Sequence, residues 1–154
     1  MDVSIVQMPA GKTREALSLV ASAGLHASDL TTDMLQDFLI ALDEKQHVRG
    51  VVGMQVLGEV GLLRALAVAP DCQGCGVGKQ LVRGLEVHAE RKGVSELYLL
   101  TLTADSFFRN LGYQPTERLA VPDCVAYTEE FQTLCPASAV CLCKQLSCGQ
   151  TGTA

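Results

Sequence analysis

Apolar and polar positions along the chain change period several times, and each change marks an element. Asp2 to Met8 reads as a short first strand. From Lys12 to Ala23 the apolar residues Ala16, Leu17, Leu19 and Val20 recur at helical spacing, and Gly24 suits the helix end. Thr31 or Thr32 can cap a short helix through Phe38. Three strands follow, Leu39 to Leu42, Val48 to Leu57 and Leu62 to Val68. The turns Asp43-Glu44-Lys45-Gln46 and Gly58-Glu59-Val60-Gly61 separate them as hairpins. Pro70 stops the third of these strands, a glycine-rich loop follows, and a helix runs from Gly78 to Arg91. Leu81, Val82, Leu85 and Ala89 form its apolar stripe, with Arg83, Glu86, Glu90 and Arg91 outward. Gly93 ends it. Leu97 to Thr101 is a dense apolar run and reads as a central buried strand. Thr103 to Leu111 is a further helix, stopped by Gly112. Tyr113 to Leu119 is expected as a strand, Pro122 to Phe131 as a short helix and Ala139 to Leu146 as the last strand. The order predicts an α+β fold with a mixed sheet and helices on both faces. It forms a single domain over residues 1–146, followed by a polar, frayed tail from Ser147 to Ala154.

Composition narrows the function classes. The 154 residues have the length of one domain able to bury a full core. With 48% hydrophobic and 19% charged residues the chain is globular. A net charge of −5 argues against nucleic-acid or anionic-membrane partners. No apolar run approaches the roughly 20 residues of a membrane span. The first residues carry no basic region followed by an apolar core, so a soluble, cytoplasmic protein is expected. The cysteines are seven, an odd count, which without a secretory signal argues for thiols rather than a disulfide framework. Cys72-x-x-Cys75 with Cys141-x-Cys143 could be read as a soft-metal site. Structural zinc prefers two similar, compact pairs, and the second pair here alternates within a strand, so buried or incidental thiols are the default. His26, His47 and His88 are scattered and form no metal triad; no metal is expected.

The segment from Leu66 to Lys79 carries the most chemistry. A buried strand runs into a loop in which Gly74, Gly76 and Gly78 remove side chains, and the loop opens directly into a helix. Such a backbone can bend closely around a ligand. The first amides of the helix lack intrahelical acceptors, and the helix dipole adds partial positive charge. Phosphate fits there, with Lys79 nearby. The glycine spacing departs from the dinucleotide fingerprint, and no Gly-x-x-x-x-Gly-Lys-Ser/Thr occurs.

Gln73-x-x-Gly76-x-Gly78 resembles the Gln/Arg-x-x-Gly-x-Gly/Ala signature of the GNAT N-acetyltransferases. Leu66-Ala67-Val68-Ala69-Pro70 is similar to their fourth strand. Leu97-Tyr98-Leu99-Leu100-Thr101 and the run from Ala104 to Tyr113 look like their fifth strand and the helix after it. The likeness covers roughly residues 3 to 146. Within the family, Leu100-Thr101-x-Thr103-Ala104-x-x-Phe107-Phe108 and Leu134 to Cys141 most resemble the small arsenic-resistance acetyltransferases. The first stretch also resembles the acetyltransferase domain of amino-acid N-acetyltransferases.

The resemblance implies a three-layer α/β/α fold whose mainly antiparallel sheet has splayed fourth and fifth strands. It implies acetyl-coenzyme A as co-substrate, a small amine as acceptor, and direct transfer. The backbone of Leu66, Ala67 and Val68 would hold the pantetheine arm. Gln73, Gly74, Cys75, Gly76, Val77, Gly78 and Lys79 would hold the pyrophosphate, with Thr101 and Phe108 also beside the cofactor. A backbone amide near Val68 can stabilise the oxyanion. The family's usual base position matches Leu62 and its tyrosine acid matches Phe108, neither of which can move a proton. Glu59, in the turn, is the nearest carboxylate to the first; the alternative is a solvated turn residue. Arg64 alternates with Leu62, Leu66 and Val68 and is expected on the cleft face. Its fork suits the carboxylate of an acidic, amino-acid-like acceptor, or an internal acid such as Glu96. Thr103 is expected to cap the following helix. Homodimers built through the last strands are common in such enzymes. An acetyl-coenzyme A sensor without turnover and a thiol-based metalloid or redox protein are the competing readings.

Overall fold

The computed structural model describes residues 2–25, 28–128, 131–132 and 138–146. The tail from Ser147, along with His26, Cys135 and the first half of the Leu134–Cys141 motif, lies outside them. In chain order the elements are β1 (Ser4–Gln7), α1 (Thr13–Ser22), α2 (Thr32–Leu35), β2 (Phe38–Leu42), β3 (Val48–Leu57) and β4 (Val60–Val68). Then come α3 (Val77–Arg91), β5 (Glu96–Thr101), α4 (Asp105–Asn110), β6 (Gln114–Pro115), α5 (Asp123–Ala126) and β7 (Val140–Gln145). The strands form a mixed, seven-stranded sheet in the order β1-β2-β3-β4-β5-β7-β6. The β1–β2, β2–β3, β5–β7 and β6–β7 pairs are antiparallel, and β4 meets β5 in parallel. This is the expected α+β class. Among the described residues no helix is long and apolar enough to cross a membrane.

The chain forms two compact units. The first comprises residues 1–55 and 64–88, the second residues 56–63 and 89–154. In the first, Ala16 and Val20 of α1 pack with Phe38, Ile40, Leu42, Val48, Val51 and Ala65. The strands here are apolar at successive positions because both faces are covered; all five residues of β2 are buried. Gly53 belongs to this packing, since a Cβ there would lie only 2.2 Å from Phe38 Cζ and 2.3 Å from its Cε1. In the second unit, Leu62, Tyr98, Val121, Val125, Phe131 and Cys141 form the core.

Several sequence expectations shift. The helix expected through Phe38 ends at Leu35, and Phe38 opens β2; Thr31 is its cap, its Oγ1 accepting from the Met34 N–H at 3.2 Å. The strand expected over Tyr113–Leu119 shrinks to Gln114–Pro115, because Pro115 has no N–H to continue a ladder. A single 3-10 turn, Arg118–Ala120, replaces the rest. The helix expected over Pro122–Phe131 is confined, up to the start of residues 129–130, to Asp123–Ala126. Glu86, expected outward, is buried, since it stands four residues after buried Val82 on the same helix face.

Substituting Gly53→Ala is expected to cost about 3 kcal/mol through forced displacement of Phe38. A lowered urea midpoint with unchanged slope checks this.

Candidate functional site

The loop between β4 and α3 begins with Pro70–Cys72 in one 3-10 turn. A tight turn follows, in which Gln73 (φ −68°, ψ 141°) and Gly74 (φ +85°) carry the dihedrals of a type II turn. The Cys75 N–H closes it onto the Cys72 carbonyl at 3.3 Å. Gly76 also has φ +85°. A Cβ at Gly74 or Gly76 would meet nothing within 4 Å, so backbone conformation, not space, demands glycine there.

After Gly76 the chain enters the 15-residue helix α3, whose opening turn is closed by a bond from the Gln80 N–H to the Gly76 carbonyl at 3.1 Å. Among the described residues, the amides of Gly74, Gly76, Val77, Gly78 and Lys79 find no acceptor. These donors converge at a helix N-terminus without an acidic residue in the first turn, which is the donor set a pyrophosphate requires. The residues present therefore fit the diphosphate of coenzyme A. Cys75, expected among the phosphate-binding amides, spends its N–H on the turn instead. Gln73 ties the loop to its strand, its Nε2 donating to the Val68 carbonyl at 3.2 Å.

Arg49 braces the entry to this loop. Its Nε lies 3.2 Å from Asp43 and its Nη2 3.1 Å from Asp71, while its carbonyl accepts from the Ala69 N–H at 2.9 Å. Asp43 also accepts from the backbone N–H groups of His47 and Lys45, each at 2.9 Å. The His47 N–H chiefly holds the Asp43 carboxyl below its ordinary value, against partial desolvation, with help from the Lys45 N–H and the His47 and Arg49 charges.

Ala65, next to Arg64 in the middle of β4, has φ +60°, a local break in the extended strand conformation. Leu62 packs in the second unit's core and Ala65 in the first unit's. The Arg64 side chain is fully buried, and its fork meets Asp29 in a two-point ion pair, Nη1–Oδ2 at 2.6 Å and Nη2–Oδ1 at 2.7 Å. The carboxylate that the fork holds is thus one of the chain's own, Asp29, from the segment before α2.

The remaining candidates fall out as follows. Glu59 stands exposed in the two-residue turn before β4, where its carbonyl accepts from Ser95 N–H at 2.7 Å. Leu62 is buried and lies opposite Tyr98 in the parallel ladder. Burial first, and then Glu96, push the Tyr98 hydroxyl above its ordinary pKa. Phe108 is 4% exposed within an edge-to-face trio with Phe107 and Tyr113, so packing already occupies its ring. Thr103, expected as a cap, makes no side-chain cap bond to α4, and Thr101 Oγ1 instead accepts from the Ala104 N–H at 2.9 Å, just before the helix. Leu66 and Val68 are half-buried, and Ala67 is buried. His88 pairs with Asp37 at 2.8 Å. Asp29 and the Asp43–Arg49–Asp71 brace had no signal in the sequence, because their partners are far apart along the chain.

Removing Asp29 leaves a buried guanidinium without this carboxylate, so Asp29→Ala is expected to cost about 3 kcal/mol in denaturant unfolding. For Asp43 the folded-state pKa is depressed, so its contribution to stability is full above the ordinary aspartate value of 3.8 and fades as pH falls through the lower folded value. Asp43→Asn should be less stable than wild type near neutrality, and the gap should close on acidification.

Comparison with known proteins agrees with this geometry. The model of the acetyltransferase (GNAT) domain matches residues 35–115. An uncharacterized N-acetyltransferase of Chlorobaculum tepidum is 32% identical over 89 residues, 57% of this chain and 56% of that protein. An amino-acid acetyltransferase of Ralstonia nicotianae is 37% identical over 54 residues, 35% of this chain and 12% of that protein. The chain thus spans about half or less of the length of these relatives. Among solved structures, N-acetylglutamate synthase of Neisseria gonorrhoeae, complexed with coenzyme A and N-acetyl-glutamate, superposes with a TM-score of 0.81 at 19% identity. That match covers 95% of this chain and 35% of the synthase. Rv2747 of Mycobacterium tuberculosis, in complex with CoA and NLQ, gives 0.76 at 21% identity, over 93% of this chain and 99% of that one. By its domain match, which takes in β2 through β6 and the whole glycine loop, this chain belongs to the GNAT acetyltransferase family.

Proposed function

We propose that the chain is an N-acetyltransferase that passes the acetyl group of acetyl-coenzyme A directly to the amine of a small, amino-acid-like acceptor. The unpaired amides of Gly76, Val77, Gly78 and Lys79 at the head of α3 carry this reading. They bind the diphosphate, with Gly74 completing the loop and the exposed Lys79 adding charge. The backbone of Leu66, Ala67 and Val68 aligns the pantetheine arm, and the Val68 amide steadies the oxyanion. Acetyl-coenzyme A supplies an activated thioester, so positioning the amine against it contributes much of the rate. With leucine at position 62, deprotonation falls to water, by way of Glu59, or to an acceptor of low pKa.

The acceptor class rests on the likeness to amino-acid acetyltransferases. Arg64 can serve an acidic acceptor by exchanging the Asp29 carboxylate for the acceptor's own. Leu62 and Phe108, buried carbon side chains where a base and an acid are usual, favour a second reading, an acetyl-coenzyme A sensor without turnover.

Calorimetric binding of coenzyme A, followed by thiol release from acetyl-coenzyme A across an amine panel, separates the two. Saturable binding is expected, with faster release for free amino acids than for their carboxamides. Equal rates for acid and carboxamide would remove the acidic acceptor. Binding without release for any amine would leave the sensor, and absence of binding would sink both.

A further inference from the structure

Cys72 and Cys75 are left over by the transfer reaction, yet both stand in its cofactor loop. They occupy the first and fourth positions of the turn that Gln73 and Gly74 build, closed by the Cys75 N–H to Cys72 carbonyl bond at 3.3 Å. A turn of this kind holds its outer Cα atoms closer than about 7 Å. A disulfide spans Cα atoms about 4.4–6.8 Å apart, so the turn sets the two cysteines at bridging separation. Both are thiols in this structure.

Their surroundings differ. Cys75 is exposed and Cys72 is fully buried. Burial raises the Cys72 thiol above its ordinary pKa, opposed by the Arg49 charge. Its Sγ–H donates to Asp71 Oδ1 at 3.7 Å, and the Asp71 side chain is 65% exposed, which gives the proton a way to solvent. The division of labour is that of an attacking and a resolving thiol: one open to a reagent, the other reachable only from within. Cys141 lies near the start of β7, where burial pushes its thiol up to about 11.

We propose that Cys75 and Cys72 form a thiol–disulfide exchange site that takes low-molecular-weight disulfides of the glutathione class and closes into a disulfide across the loop. The Cys75 thiolate attacks one sulfur of glutathione disulfide; that S–S bond breaks, and one glutathione leaves and takes up a proton. Cys72 then releases its proton past Asp71 and attacks the Cys75 Sγ. The mixed disulfide breaks, and the second glutathione leaves as a thiol. Two protein thiols are oxidised, and one glutathione disulfide is reduced to two thiols. The exchange site stands on the turn alone. Only one corollary rests on the acetyltransferase reading: coenzyme A on the neighbouring amides shields Cys75 and slows the first step.

The test is incubation of the full chain with glutathione disulfide, then intact mass and peptide mapping under non-reducing conditions. The expected product has lost two hydrogen atoms, with Cys72 and Cys75 joined, and dithiothreitol restores it. Cys72→Ala should instead hold a stable glutathione adduct on Cys75, and Cys75→Ser should form neither product at this turn. A lasting adduct on Cys75 of the wild-type chain, a bridge from Cys75 to another cysteine, or no reaction at Cys75 would each overturn the proposal. Coenzyme A is expected to slow disulfide formation several-fold. Unchanged rates with an intact Cys72–Cys75 product would count against the cofactor reading and leave the exchange site standing.

Discussion

The seat of α3 on the strands of the first unit governs where the candidate site can be. Two glycines permit it. A Cβ on Gly50 would lie 2.6 Å from Leu81 Cδ1 and 3.2 Å from Val77 Cγ1, and one on Gly84 would lie 3.0 Å from Ile5 Cγ2. Strand β3 therefore offers bare backbone to the first turns of α3, and the middle of α3 offers bare backbone to β1. A glycine inside a helix costs roughly 1 kcal/mol against alanine, and here the close fit of Val77, Leu81 and Leu85 offsets it. Because the helix is pinned this near its start, its leading amides are held in place and cannot find acceptors by fraying or rotating. A phosphate site needs donors that remain unsatisfied, and rigid packing beneath them keeps them so.

Much of this was legible in the sequence, and the reasons are local. Alternation and helical spacing placed β3 and α1 within a residue or so, and the glycine spacing before α3 located the loop. Chemistry that depends on short-range conformation was accessible too, as with Thr31 at the head of α2. What escaped was of two kinds. Pairings between distant segments leave no periodic trace: Arg64 finds Asp29, and Arg49 joins Asp43 to Asp71. Backbone dihedrals that break a pattern also leave none when the residue is not glycine. Ala65 interrupts β4 with φ +60°, and nothing in the run of residues around it marks the spot.

The loop shows how a single stretch can carry two demands. Its glycines supply left-handed backbone at positions 74 and 76, and its cysteines occupy the ends of the turn that Gly74 makes possible. The Cys75 amide, committed to closing that turn, is withdrawn from the phosphate cradle. In the proposed function binding falls to the amides from Gly76 onward, while Asp71, Arg49 and Gln73 tether the segment before them.

The left-handed backbone at Ala65 sets a rule for which amino acids the chain can carry there. Glycine, asparagine and aspartate tolerate that conformation best, but the position is 9% exposed and lies in the first unit's core, which refuses an unpaired polar group. Branched and bulky residues suit the core and are refused by the backbone. Alanine and glycine alone meet both conditions, so in a randomised library this codon should be among the least permissive of the whole strand.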